Sequence, residues 1–134
     1  MSDRRSLAIP GLSHITAIPV ATRIGPLVVS SVITSFDPGT RTVPAVIEAQ
    51  IANLFVHAGA MLDAAGATWD DVAKMSFWLA DGAHRAALEA SWVAQFPDPA
   101  SRPARHTHVD PSATMASAEF IAWVAAGRPN DKEH

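Results

Sequence analysis

Two hydrophobic rhythms in neighbouring stretches restrict the fold of this chain more than any other feature. Between residues 44 and 65, Ile47, Ile51, Leu54, Phe55, Ala58, Met61 and Leu62 recur three or four positions apart. That spacing places them on one face of a helix. Pro44 suits the first turn, and Gly66 stands where a left-handed C-terminal cap is expected. The period then shortens to two. In DVAKMSFWLA (71–80), Ala73, Met75, Phe77 and Leu79 alternate with Lys74, Ser76 and Trp78. This is the pattern of a strand buried on one face. Each element has a single apolar side, so each needs a second layer to cover it.

The remaining elements follow from the same signals. HITAIPVATRIG (14–25) reads as an irregular edge strand, because Pro19 cannot donate to a ladder. PLVVSSVITS (26–35) reads as a strand, and FDPGTRTVP (36–44) as a turn. Thr68 can cap a short turn before the alternating strand. A second helix is expected over about 84–96, with Leu88, Trp92 and Phe96 on one side. Two strands close the chain, near 104–109 and 115–125. Residues 1–13 and 127–134 carry no pattern and are expected to be loose. The order predicts one α+β domain over residues 1–134, a mixed sheet with two helices on one face. No element is left for the other face, so self-association is expected.

Composition removes several classes of function. The chain has 134 residues, half of them apolar, which is enough for a core without cross-links. It has no cysteine, which excludes disulfides, thiolate nucleophiles and cysteine-bound zinc. No stretch approaches the roughly 20 apolar residues of a membrane span, nor does an apolar run of signal-peptide length follow Arg4 and Arg5. A cytoplasmic location is expected. Net charge is −3 with no basic run, so nucleic acid, whose binding rests on neutralising phosphates, is not the expected partner.

The polar residues of RPARHTH (102–108) are the candidates for chemistry. On a strand, Arg105, Thr107 and Val109 share one face, and His106 and His108 the other. A planar guanidinium suits bidentate capture of a carboxylate, although an arginine at a strand end also pairs with surface acids. The two histidines offer two ligands with no third at a recognisable spacing, so no metal site is expected. His14, His57 and His84 have no pattern tying them to the arginine. Trp78, Trp92 and Trp123 fit packing better than ligand platforms.

RIGPLVVSS, FDPGTRTVP, IEAQIANLFVHAGAMLDAAGATWDDVAKMSFWLAD and RPAR together resemble the RidA/YjgF family, also called endoribonuclease L-PSP, from about residue 20 to 125. The resemblance implies a chorismate-mutase-like α+β fold. It also implies a homotrimer with sheets packed inward and three clefts between subunits. Family members hydrolyse 2-imino and enamine acids to 2-oxo acids and ammonia without a metal or organic cofactor; others bind small carboxylates. By the same resemblance, Arg105 is the substrate-carboxylate ligand, assisted by the N–H of Thr107.

Several positions depart from the family pattern. The last strand usually carries Glu-x-Glu, whose first glutamate activates water; here SAEFIAWVA places Ser117 first and Glu119 second. A serine can hold a water but cannot accept its proton near neutral pH. Ser31 matches a pocket-lining serine, while Val32 replaces a glycine and would narrow the cleft. Arg85 stands where an aromatic residue is common, and Glu89 where an asparagine is common. Three readings follow. The first is an imine or enamine deaminase using Arg105 with Ser117 or Glu119. The second is a non-catalytic carboxylate-binding protein, and the third, which the charge disfavours, is a ribonuclease.

Overall fold

A computed structural model of the chain describes residues 3–12 and 16–125. Its strands are β1 (Arg5–Leu7), β2 (Ala21–Ile24), β3 (Leu27–Ser30), β4 (Ile33–Thr34), β5 (Val72–Leu79), β6 (Ala104–Val109) and β7 (Ser117–Trp123). Its helices are α1 (Ile47–Ala64) and α2 (Arg85–Gln95). The strands form one sheet in the order β1-β2-β3-β7-β5-β6, with β4 also paired to β7. Among the described residues only the β5–β6 pair is parallel. The architecture is the expected α+β arrangement of a mixed sheet with two helices.

The helix rhythm sets the core. Ile51, Leu54, Ala58, Met61 and Leu62 of α1 are buried. They meet the buried strand residues Val28, Ile33, Met75, Phe77, Ala118 and Phe120. Register keeps these on one side of the sheet: Met75 pairs with Phe120, Phe77 with Ala118, and Ala118 with Ile33. Gly66 has the left-handed φ of 75°, where a side chain would be strained. At that end Arg23, buried on β2, donates from Nη1 to the Ala65 carbonyl at 2.7 Å. A cation there also complements the negative end of the helix dipole.

The other face of the sheet is bare. Trp123 is 58% exposed, Ile121 44% and Ile24 42%. Trp123 and Ile24 lie in one row through Leu27.

The structure corrects five readings. Residues 1–13 are not uniformly loose, because Arg5–Leu7 forms β1 and is the edge strand. The strand expected over 14–25 is confined to Ala21–Ile24, inside that edge, with Pro19 before it. Residues 127–134 lie outside the described residues. The strand over 26–35 breaks after Ser30, where the Phe120 N–H turns to the Ser30 hydroxyl at 2.9 Å in place of a ladder carbonyl. In β5 a register shift between Val72 and Lys74 pushes Ala73 outward and buries Val72 in its place. Helix α1 begins at Ile47, so Pro44 precedes it, and its carbonyl accepts from Gln50 Nε2 at 2.8 Å.

Phe120 is 1% exposed on the central strand. Phe120→Ala is expected to cost about 3–5 kcal/mol of stability, as deletion of a buried aromatic ring does. Urea denaturation followed by circular dichroism measures it.

Candidate functional site

Arg105 sits on the edge strand β6, in register with Met75 of β5. Its side chain therefore leans to the helix side of the sheet, where α2 supplies two partners. The guanidinium carbon lies 5.0 Å from the centre of the Trp92 ring. Nη2 donates to Glu89 Oε1 at 3.0 Å. Trp92 is itself buried and meets Phe77 edge-on at 6.1 Å and Phe96 at 4.7 Å. The arginine is thus laid against the outer surface of the aromatic core. Its side chain is 29% exposed and that of Glu89 57%, so this ion pair contributes at most about 1 kcal/mol to stability.

The approach to β6 is fixed by Arg102, whose Nε donates to the Phe96 carbonyl at 2.8 Å. Thr107 is half-buried and in register with Phe77, on the same face as Arg105. Arg85 is exposed at the start of α2, one helical turn before Glu89. The sequence reading that Trp92 serves packing is incomplete: it also supports the guanidinium.

Ser117 and Glu119 lie elsewhere. Ser117 is in register with Trp78, and Trp78 with His108. Glu119 is in register with Ser76, and Ser76 with His106. Both rows belong to the bare face. His108 stacks on Trp78 with ring centres 4.7 Å apart and planes 4° apart, and the two imidazole centres are 3.9 Å apart. Within one chain, Arg105 and Thr107 are therefore separated by the sheet from Ser117 and Glu119. Among the described residues no group of three or more His, Cys, Asp or Glu is placed to hold a metal.

Ser31 and Val32 occupy the break between β3 and β4. Ser31 Oγ donates to the Pro19 carbonyl at 2.7 Å, and Val32 is exposed. Two strands, β7 and β5, separate β4 from β6, so three strand spacings, about 14 Å, divide this point from Arg105. Val32 rims a cavity of about 330 Å³ whose walls include Thr34, Phe36, Arg41, His57 and Met61.

Sequence reasoning missed this cavity. His57, which had no pattern, is 4% exposed, and its Nε2 donates to the Phe36 carbonyl at 2.7 Å. Asn53, one turn earlier, donates to the Ser35 carbonyl and to Asp37. The available signal was the i, i+4 spacing of these two polar residues beside the apolar face of α1.

With the fold and these groups in place, solved structures of similar shape can be set beside the chain. A RidA from the Antarctic bacterium Psychrobacter sp. PAMC 21119 is 26% identical, with a TM-score of 0.79 over 90% of this chain and 100% of that one. A probable translation initiation inhibitor from Rhodopseudomonas palustris gives 20% identity and a TM-score of 0.84 over 92% and 100%. YyfA, a protein of unknown function of the conserved Rid family from Yersinia pestis, gives 20% and 0.82 over 90% and 99%. The two less similar structures establish the fold alone. No curated protein sequence matches. The sequence model of the endoribonuclease L-PSP family matches residues 15–113. The chain belongs to that family, as the resemblance of its motifs implied.

Just beyond β6, Asp110 starts the turn toward β7. Its carboxyl is held below the ordinary Asp value of 3.8, first by the Ser112 hydroxyl and then by the Ser112 N–H. Both donate to Oδ1, at 2.7 and 3.0 Å. A carboxyl depressed in this way favours the folded turn at pH above the ordinary Asp range. That contribution is lost as pH falls through the folded midpoint. Ser112→Ala is expected to move the Asp110 midpoint up toward its ordinary value, read by carboxyl-carbon NMR titration.

Proposed function

We propose that the protein binds a small 2-imino or enamine acid through Arg105 and hydrolyses it to the 2-oxo acid and ammonia. The observation that carries this reading is the guanidinium of Arg105, braced on buried Trp92 and presented beside half-buried Thr107 at an open sheet edge. A fork of N–H donors held in this way suits a carboxylate. In the reaction, water adds to the imine carbon and its proton passes to nitrogen. The C–N bond then breaks, so R–C(=NH₂⁺)–COO⁻ and water yield R–CO–COO⁻ and ammonium. No metal or organic cofactor enters these steps.

In this reading the working unit is a homotrimer. The bare face, with Ile24, Ile121 and Trp123, packs against other copies, and the ligand lies in a cleft between subunits. Ser31 and Val32 line that cleft from one copy and Arg105, Thr107, Arg85 and Glu89 from another. Glu119 or Ser117 steers the water. Because each lies across the sheet from Arg105 of its own chain, the neighbouring copy supplies it. The protein works in the cytoplasm. Among the described residues no helix is long and apolar enough to cross a membrane.

A second reading, a carboxylate-binding protein without turnover, is favoured by Ser117 standing where water activation calls for a carboxylate. Ribonuclease activity is the weakest of the three, given the net charge of −3.

Short imino acids generated in situ by an amino-acid oxidase test the reading. Wild type is expected to release 2-oxo acid faster than buffer. Arg105→Ala is expected to lose about 10²-fold in kcat/KM, roughly 3 kcal/mol of transition-state binding. If wild type matches buffer across several imino acids but binds pyruvate through Arg105, the second reading replaces the first. Sedimentation is expected to show a trimer at micromolar concentration, dissociated by Ile121→Asp. A stable wild-type monomer would refute the assembly.

A further inference from the structure

The ligand-binding arginine of the proposed site does not stand alone. It shares its guanidinium with Glu89, whose Oε1 is 3.0 Å from Nη2. Nη2 is one corner of a fork that carries five N–H donors, so the pair leaves donors for a second carboxylate. The Glu89 side chain is 57% exposed, and its carboxylate can turn toward whatever sits on Arg105. Behind the guanidinium lies the Trp92 ring, 5.0 Å from its carbon. This apolar wall keeps water off one side of the arginine.

The Arg105–Glu89 pair itself has nearly no net charge, and this shapes what it can recognise. A 2-oxo acid brings a single negative charge. Its carboxylate meets Arg105 but lies beside Glu89, a like charge that opposes it. A ligand with a cationic nitrogen on the carbon next to its carboxylate meets both groups with opposite charge. The nitrogen and the carboxyl carbon of such an acid are about 2.5 Å apart. Arg105 and Glu89 are adjacent, 3.0 Å apart, so one small acid can reach both.

The geometry points to Glu89 as the residue that reads the ligand's nitrogen, so that the site selects 2-iminium or 2-ammonium acids over 2-oxo acids. The inference rests on the reading of Arg105 as the carboxylate ligand. It adds a direction to the cycle: the substrate of imine hydrolysis carries the cation that Glu89 faces, and the product has lost it. Replacing nitrogen by oxygen turns a matched ligand into a repelled one, which favours product release. Arg85, exposed one turn earlier on α2, adds a positive charge to the same cleft, so the discrimination rests on Glu89 standing directly against Arg105 and not on the net charge of the site.

Alanine and pyruvate differ in this one group and are stable, which makes them the probes. Each is titrated by calorimetry or NMR into the full-length wild-type protein, Glu89→Gln and Arg105→Ala. Wild type is expected to bind alanine about two- to fivefold more tightly than pyruvate, the range that exposed ion pairs support. Glu89→Gln keeps the shape and removes the charge. It is expected to invert the order by loosening alanine and tightening pyruvate, whereas Arg105→Ala weakens both. A ratio of two ligands does not respond to a general loss of stability, so inversion supports recognition by Glu89. If both ligands bind through Arg105 and Glu89→Gln leaves their ratio unchanged, the inference falls and the carboxylate site stands. If neither ligand depends on Arg105, the site and the inference fall together.

Discussion

The cross-strand register of β5 with β6 and β7 governs the rest of this structure. Side chains alternate along each strand, so register decides which residues share a face. Phe77 stands beside Thr107 and Ala118 on the helix side, and Trp78 beside His108 and Ser117 on the bare side. One register thus builds the core, aims Arg105 at α2 and gathers the histidines with Glu119. A slip of one residue in β6 would exchange the arginine for a histidine at α2 and move the guanidinium to the bare face.

Core and candidate site are joined through one ring. Phe55 stacks on Phe77, Phe77 meets Trp92, and Trp92 carries Arg105. An arginine on a flexible stem has many rotamers, and holding one costs about 2 kcal/mol of side-chain entropy. The Trp92 face and the Glu89 carboxylate offset that cost before any ligand arrives. Trp92 is buried because it completes the packing of α2, so the fold braces the arginine with a residue it needs for its own stability.

What could be read from the sequence was local and periodic. The face of α1 and the alternation of Met75, Phe77 and Leu79 are properties of one segment, and they hold. Gly66 announced the end of α1 for the same reason. What escaped depended on other parts of the chain. Residues 5–7 carry no strand pattern and become β1 only because β2 offers an open edge. The break after Ser30 depends on a hydroxyl that accepts from Phe120, ninety positions away. The alternation of RHTH gave the partition of Arg105 from His106. Which of its two faces meets α2 follows only from pairing with β5. For this reason Arg105 and Glu119 could look like neighbours in sequence motifs and yet lie on opposite sides of the sheet. The contact of Arg105 with Glu89 joins a strand to a helix and is invisible to any period.

The position of β7 has a consequence for how the chain reaches this state. It is the last of the described strands, yet it lies between β3 and β5, with β4 also paired to it. Without residues 117–123, β1 to β3 and β5 with β6 are unconnected pieces, β4 loses the strand it pairs with, and α1 has no continuous surface to cover. Pairing β3 with β7 brings together residues more than ninety positions apart, a long loop closure of the kind that slows folding. During synthesis the two halves must therefore wait, with their apolar faces open, for a strand made late. The cooperativity of the fold is concentrated in that final insertion.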